Sequence, residues 1–229
     1  ERRFYRHLSD LFVEALKATH MSMEEISERL KVRDQPLISG LFNEGRDLAV
    51  LCSHYNNWEW LSSLHLASPF SRLTVYKPLK NKYFDRFILD LRTKYGVTAS
   101  PMQHILRDLV SLRKENVRTA TAFIADQTPP PDEHAYWTTF LNQDTGFFRG
   151  AEKIAMMLDM AVFYLDIIKV RRGYYEVDMK LITEHPRREA PDFITSRYAE
   201  ILGEIIREKP EYWLWSHRRW KYKKPVIND

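Results

Sequence analysis

His54 and Glu59 are the residues of this chain whose types and spacing best suit acid–base chemistry. They lie in the stretch Asp47-Leu-Ala-Val-Leu-Cys-Ser-His-Tyr-Asn-Asn-Trp-Glu-Trp60. Leu48 to Ser53 is short, apolar and bounded by charge, the pattern of a buried strand. Asn56-Asn57 then signals a helix start, because an Asn side chain accepts from the free N–H groups of a first turn. Trp58 to Ala67 is expected to continue as an apolar-rich helix with Glu59 in its first turn. On one continuous helix, residues five apart point about 140° away from each other. His54 and Glu59 can therefore meet only if His54 sits on the strand end and the turn folds Glu59 back. The helix N-terminus would keep such a carboxylate ionised. It would then fix the imidazole tautomer and stabilise the imidazolium formed when His54 takes a proton. A His followed five residues later by a Glu also arises by chance. What favours chemistry is the strand-to-helix junction, where open α/β sheets place their sites. Ser53 and Cys52 are the strand's last residues and Cys52 is expected in the core, so the hydroxyl to be activated is expected to belong to a substrate.

Composition bounds the partners without choosing one. The 229 residues are 44% hydrophobic and 29% charged, values of a single globular domain covering residues 1–229. One cysteine excludes an intrachain disulfide, and no zinc-ligand spacing is present, so no metal is expected. A net charge of +4 suits an acidic partner: nucleic acid, anionic lipid or an acidic carrier protein. No apolar run reaches membrane-span length and no signal peptide opens the chain. The sequence starts at Glu1 inside what reads as a helix, so the missing span speaks only for this stretch. Neither a Walker pattern nor Gly-x-Gly-x-x-Gly occurs, so no nucleotide cofactor is expected.

The elements that must position the pair follow in order. Phe4 to Ala18 carries Leu8, Leu11, Phe12, Ala15 and Leu16 at helical spacing, an amphipathic helix expected to pack on the core, with lipid contact the alternative. Met23 to Leu30 follows a capping-box start at Ser22 and Glu25, and Pro36 to Phe42 is a short helix ended near Gly45. Leu73 to Tyr76 reads as a strand, and Lys77 to Asn81 is irregular because of Pro78. Tyr83 to Tyr95 is a helix closed by Gly96, Val97 to Ala99 a strand, Gln103 to Glu115 a helix and Ala120 to Ala125 a strand. Pro129 to Phe148 reads as a long aromatic loop. Arg149-Gly150 opens a helix to Leu158, where Arg149 and Lys153 beside free N–H groups make either an anion site or a solvated helix end. Ala161 to Val170 and Tyr174 to Ile182 form a β-hairpin, and Asp192 to Glu208 a helix. The tail from Trp213 to Lys224 interleaves aromatics with five cations and is expected chiefly to cap the core, with nucleic acid or a membrane interface as alternatives. This alternation predicts an α/β fold: a single domain with a central, mostly parallel sheet flanked by helices and a late β-hairpin. The polar segments at His54, Lys77 to Lys82 and Asp126-Gln127 should gather along one edge of the sheet.

Five stretches stand out together: His54-Tyr-Asn-Asn-Trp-Glu59, Val75-Tyr-Lys-Pro-Leu-Lys-Asn-Lys-Tyr-Phe-Asp85, Ala125-Asp-Gln127, Phe147-Phe-Arg-Gly-Ala-Glu-Lys-Ile-Ala155 and Trp213-Leu-Trp-Ser-His-Arg-Arg-Trp-Lys221. In this order they resemble one family, the late acyltransferases of lipid A biosynthesis within the lysophospholipid acyltransferase superfamily, whose His-x4-Asp/Glu signature the first stretch fits. The resemblance implies fatty acyl transfer from acyl carrier protein or acyl-CoA to a hydroxyl of a lipid acceptor, at the cytoplasmic face of the bacterial inner membrane. It implies no cofactor beyond the donor substrate, and the absence of any RNA- or DNA-binding motif argues against a nucleic-acid partner. His54 would be the general base and Glu59 its partner. Asn57, Lys77, Asn81, Asp126, Arg149, Gly150 and Lys153 would contact the substrates, mostly around phosphates. Members usually carry an N-terminal membrane helix, absent from this chain. Many have Asp where Glu59 stands and Arg where Lys77 stands, so Lys77 gives up the planar fork of a guanidinium. Acylation of another lysolipid, aminolipid or glycolipid is the alternative within the enzyme class, and a membrane- or carrier-binding module the alternative outside it.

Overall fold

The computed structural model describes residues 1–33, 36–64, 69–130 and 135–225. Helices α1 (Arg2–Ala18) and α2 (Met23–Arg29) lead into β1 (Leu30–Val32) and α3 (Pro36–Asn43). Next come β2 (Leu48–Cys52), a 3-10 helix (Trp58–Ser63), β3 (Ser71–Tyr76), α4 (Lys82–Thr93), β4 (Thr98–Pro101), α5 (Ile105–Lys114) and β5 (Thr119–Ile124). The hairpin β6 (Tyr136–Phe140) and β7 (Gln143–Phe147) precedes α6 (Gly150–Leu158), β8 (Ala161–Arg171) and β9 (Tyr174–Thr183). Short 3-10 turns at Pro186–Arg188 and Pro210–Tyr212 flank α7 (Phe193–Glu208).

A seven-stranded sheet runs in the order β1-β9-β8-β2-β5-β3-β4. Strands β8, β2, β5, β3 and β4 are mutually parallel, whereas β9 is antiparallel to β8 and parallel to β1. Strand β2 lies in the middle and all five of its residues are buried. Its side chains alternate between two cores, as the strand period demands. Leu48, Val50 and Cys52 join the layer with Ala18, Ile26, Leu41 and Trp60. Ala49 and Leu51 join the opposite layer with Leu109, Ala155, Tyr198 and Trp213. The result is helices on both faces of a largely parallel sheet with a late antiparallel hairpin, the architecture the sequence pattern predicts.

Three elements differ from expectation. The stretch read as a long aromatic loop holds the separate antiparallel hairpin β6–β7. It turns at Leu141-Asn142, both with positive φ, 48° and 64°. That is the backbone of a two-residue turn with no glycine to announce it. The helix expected from Trp58 is a 3-10 helix as far as Ser63, and its expected continuation through His65–Ala67 lies outside the described residues. Helix α1 packs its apolar stripe inward only in part: Leu8, Leu11 and Ala15 are half-buried, Ala15 against the core, whereas Phe12 and Leu16 are exposed and the buried face carries His7, Asp10, Glu14 and Ala18. The tail follows the expected core packing in part, with Trp213 and Arg219 buried and Trp215 at the surface.

Candidate active site

The register of β2 and β5 brings the site together. Cys52 pairs with Ile124 across the two parallel strands. Two residues further along each chain, His54 stands opposite Asp126. The Asp126 carboxylate accepts from His54 Nδ1 at 2.7 Å and from the His54 backbone N–H at 3.0 Å. The indole N–H of Trp213 donates to the same carboxylate at 2.9 Å. Burial by itself pushes the Asp126 carboxyl up, but the His54 charge and these hydrogen bonds outweigh it and hold the group below the ordinary carboxylate range. A carboxylate so held keeps the Nδ1–H tautomer of His54, leaving Nε2 free to take a proton.

The turn after β2 is stiff for local reasons. Asn56 adopts positive φ, 54°, and its buried side chain donates to the Ile167 carbonyl at 2.6 Å. Asn57 caps the 3-10 helix, its side-chain oxygen accepting from Trp60 N–H as expected. Its Nδ2 donates to Glu14 at 2.7 Å, so Asn57 is committed to structure on both ends of its amide. The tail locks the same turn from outside. Leu214 N–H donates to the His54 carbonyl, Asn56 N–H donates to the Tyr212 carbonyl, and Tyr55 bridges Trp213. Thr128 N–H donates to His217 Nε2 at 3.1 Å, and Thr128 Oγ1 donates to the Arg219 carbonyl.

Glu59 takes a different place from the one expected. Arg92 of α4 grips it with two hydrogen bonds, 2.8 and 3.0 Å, and the Trp58 indole N–H donates to it at 2.9 Å. The Trp58 ring meets the His54 ring edge-on, with centroids 5.1 Å apart. Trp58 thus stands between the two motif residues, and the carboxylate bonded to His54 is Asp126.

His54 and Glu59 nevertheless border one cleft, together with Lys77, Leu79, Phe84 and Gln127. The Gln127 amide Nε2 lies 3.3 Å from His54 Nε2, as a donor to the ring nitrogen that Asp126 leaves unbonded. Trp58, Glu59 and Arg92 also border a second, apolar cavity beneath the 3-10 helix, lined by Val50, Leu64, Leu73, Val97 and Ile124. The ion pair therefore borders both the His54 cleft, whose walls mix Leu79, Phe84 and Leu89 with polar groups, and the apolar cavity. Cys52 borders the inner cavity, but burial drives its thiol far up, and the Ser53 hydroxyl is buried against the Tyr164 hydroxyl at 3.1 Å.

The remaining expected site residues are dispersed. Lys77 is exposed at the cleft, and Asn81 caps α4, accepting from Tyr83 and Phe84 N–H groups. Arg149 is paired with Asp192 at 2.6 Å, Lys153 is exposed, and neither they nor Gly150 borders the His54 cleft. The sequence placed Asp126 among the substrate contacts and Asp126-Gln127 on the same sheet edge as His54, but not the bond from Asp126 to His54 Nδ1 or the Gln127 amide beside Nε2. The available signal was that the strand Ala120 to Ala125, like Leu48 to Ser53, ends in polar residues.

Comparison with known proteins places the chain in a family. The family model described as bacterial lipid A biosynthesis acyltransferase covers residues 2–222, nearly the whole chain. A search of curated proteins returns no match.

Proposed function

We propose, for a chain that belongs to the bacterial lipid A biosynthesis acyltransferase family, that it carries a fatty acyl group from acyl carrier protein or acyl-CoA to a hydroxyl of a lipid A precursor. The observation that carries this reading is the His54–Asp126 pair, with Nδ1 held at 2.7 Å and Nε2 turned to a cleft that adjoins an apolar cavity. His54 Nε2 takes the acceptor hydroxyl proton as the alcohol oxygen attacks the thioester carbonyl. Asp126 stabilises the imidazolium that results. The tetrahedral intermediate then expels the donor thiolate, which takes that proton back. No acyl-enzyme is needed, since neither Cys52 nor Ser53 reaches the cleft as a nucleophile.

Gln127 supplies a further part. In the free enzyme its amide occupies the space over Nε2 where the acceptor hydroxyl must come. Displaced by that hydroxyl, the amide N–H lies within reach of the developing oxyanion. The inner cavity suits the acyl chain, each buried methylene contributing about 0.8 kcal/mol. Entry passes the Glu59–Arg92 pair, which gives the second motif residue a gatepost's position. Lys77 at the cleft suits an acceptor or donor phosphate, and a net charge of +4 suits an acidic carrier protein. The cytoplasmic face of the inner membrane is where both substrates would meet.

The test is transfer from acyl carrier protein and from acyl-CoA to a lipid A precursor, followed by mass spectrometry. Wild-type product with none from His54→Ala supports the reading. Equal rates in the two, or an acyl group recovered on the protein itself, would overturn it.

A further inference from the structure

Helix α1 turns one apolar face to the outside and fastens a polar face to the protein. Tyr5, Phe12, Val13 and Leu16 are 63%, 64%, 47% and 61% exposed, and at 3.6 residues per turn they fall within an arc of about 100°. The opposite face carries His7, Asp10 and Glu14, all buried. These are fastened to the body of the protein by polar bonds. Lys169 Nζ reaches Asp10 and His7 Nδ1, each at 3.2 Å, and Arg172 pairs with Asp10 at 2.6 Å. Glu14 accepts from Asn57 and from the Tyr175 hydroxyl, both at 2.7 Å. Rotating the helix to hide its apolar stripe would break all of these, so the stripe is held outward.

Charge on the exposed side is of one sign. Every charged residue that α1 exposes is basic (Arg2, Arg3, Arg6 and Lys17), because both of its carboxylates face inward. An apolar stripe flanked by cations and free of carboxylates is the pattern of a helix lying in the plane of an anionic lipid surface. The carboxylates nearest this face, Glu1 at the N-cap and Glu211, which pairs with Arg3 at 3.6 Å, are outnumbered by its cations, so two copies packed through the same face would set cation near cation. One end of the stripe, at Tyr5, neighbours the segment that borders the site. The first turn of α1 and Trp215, itself 40% exposed, border one groove, and the neighbouring Leu214 borders the His54 cleft.

We infer that the outer face of α1, centred on Phe12 and Leu16, seats the protein on an anionic lipid surface and brings the cleft to that surface. This deepens the reading of the chain as an enzyme of lipid substrates and rests on it for its purpose, though its measurement needs no turnover. The direct experiment is flotation of the chain with phosphatidylcholine vesicles, with and without phosphatidylglycerol. Wild type is expected to float with the anionic vesicles and to bind less as salt rises. Phe12→Asp combined with Leu16→Asp lowers the partition coefficient at least about tenfold. Arg2→Glu with Arg6→Glu lowers binding to the anionic vesicles only. All four positions are exposed, so an unchanged thermal midpoint accompanies the loss, and the milder Phe12→Ser with Leu16→Ser checks it. Wild type that ignores both vesicle types, or an aspartate variant that floats like wild type, overturns the inference. So does a wild-type dimer that Leu16→Asp converts to monomer while flotation is unaffected. Acyl transfer to a detergent-dispersed acceptor is read separately: its absence alongside intact flotation refutes the enzymatic reading and leaves the docking face standing.

Discussion

Asp126 Oδ1 lies 2.7 Å from His54 Nδ1, across 72 residues of sequence. Adjacent parallel strands ending in register make the pair, and Glu59, five residues from His54, is bound to Arg92 instead. The roles separate experimentally. His54→Ala and Asp126→Ala are each expected to lower kcat/KM by roughly 10²–10⁴. A low-field Nδ1–H proton resonance of His54 should disappear in Asp126→Asn and survive in Glu59→Gln. A double-mutant cycle should give Glu59 and Arg92 a coupling of about 1–3 kcal/mol, larger than that between Glu59 and His54. Loss of the resonance in Glu59→Gln alone would return the orienting role to the nearer carboxylate.

Gln127 offers a kinetic test. Gln127→Ala removes the amide beside Nε2 and, with it, one donor to the oxyanion. The expected result is a fall in kcat of about 10²-fold with little change in acceptor KM. Gln127→Glu should not restore it, because a carboxylate cannot donate. A variant with wild-type kcat would leave the amide with no catalytic part.

Asn56 carries the turn's backbone. Asn56→Gly keeps the positive φ without strain and loses only the hydrogen bond to Ile167, which should cost about 1–2 kcal/mol. Asn56→Ala adds the left-handed penalty, a further ~1 kcal/mol. Urea denaturation of the two variants gives the order; equal stabilities would mean the backbone angle carries no cost.

Acid should loosen the seat of α1. Burial first, then the Lys169 charge, lowers the His7 pKa to about 4 from 6.5, against a smaller opposing effect of Asp10. Above pH 6.5 the imidazole is neutral folded or unfolded. Between 6.5 and about 4 the unfolded chain binds a proton that the folded one refuses, so stability falls with falling pH. One such group sets a slope of at most about 1.4 kcal/mol per pH unit. Thermal midpoints of wild type and His7→Asn, compared at pH 7 and pH 5, should show a smaller acid loss in the variant. Parallel losses would place the effect elsewhere.

Much of the architecture was legible because period-2 and period-3.6 patterns are local. Leu48 to Ser53 and Ala120 to Ala125 announced buried strands, and their polar ends announced the edge where chemistry gathers. The pairing of those two strands was not legible, since nothing local ties Cys52 to Ile124; hence Asp126 appeared only as a contact residue. The β6–β7 hairpin stayed hidden because its turn uses Leu141 where Asn-Gly would have given the signal. Helix α1 misled for another reason. Its stripe is truly amphipathic, but periodicity does not say which side faces in, and buried partners such as Lys169 and Tyr175 come from a hairpin far along the chain.

The clamp formed by Trp213, His217 and Arg219 has a bearing on how the molecule matures. The sheet and the residues of both motif turns are synthesised well before this segment leaves the ribosome, yet Asp126 and Thr128 acquire their outer partners only from it. A nascent chain, or one clipped by a protease after Pro210, would lack Trp213 both from the core layer and from the Asp126 carboxylate. Completion of one side of the core and of the His54–Asp126 pair is therefore a single late event, tied to the arrival of the last tryptophans.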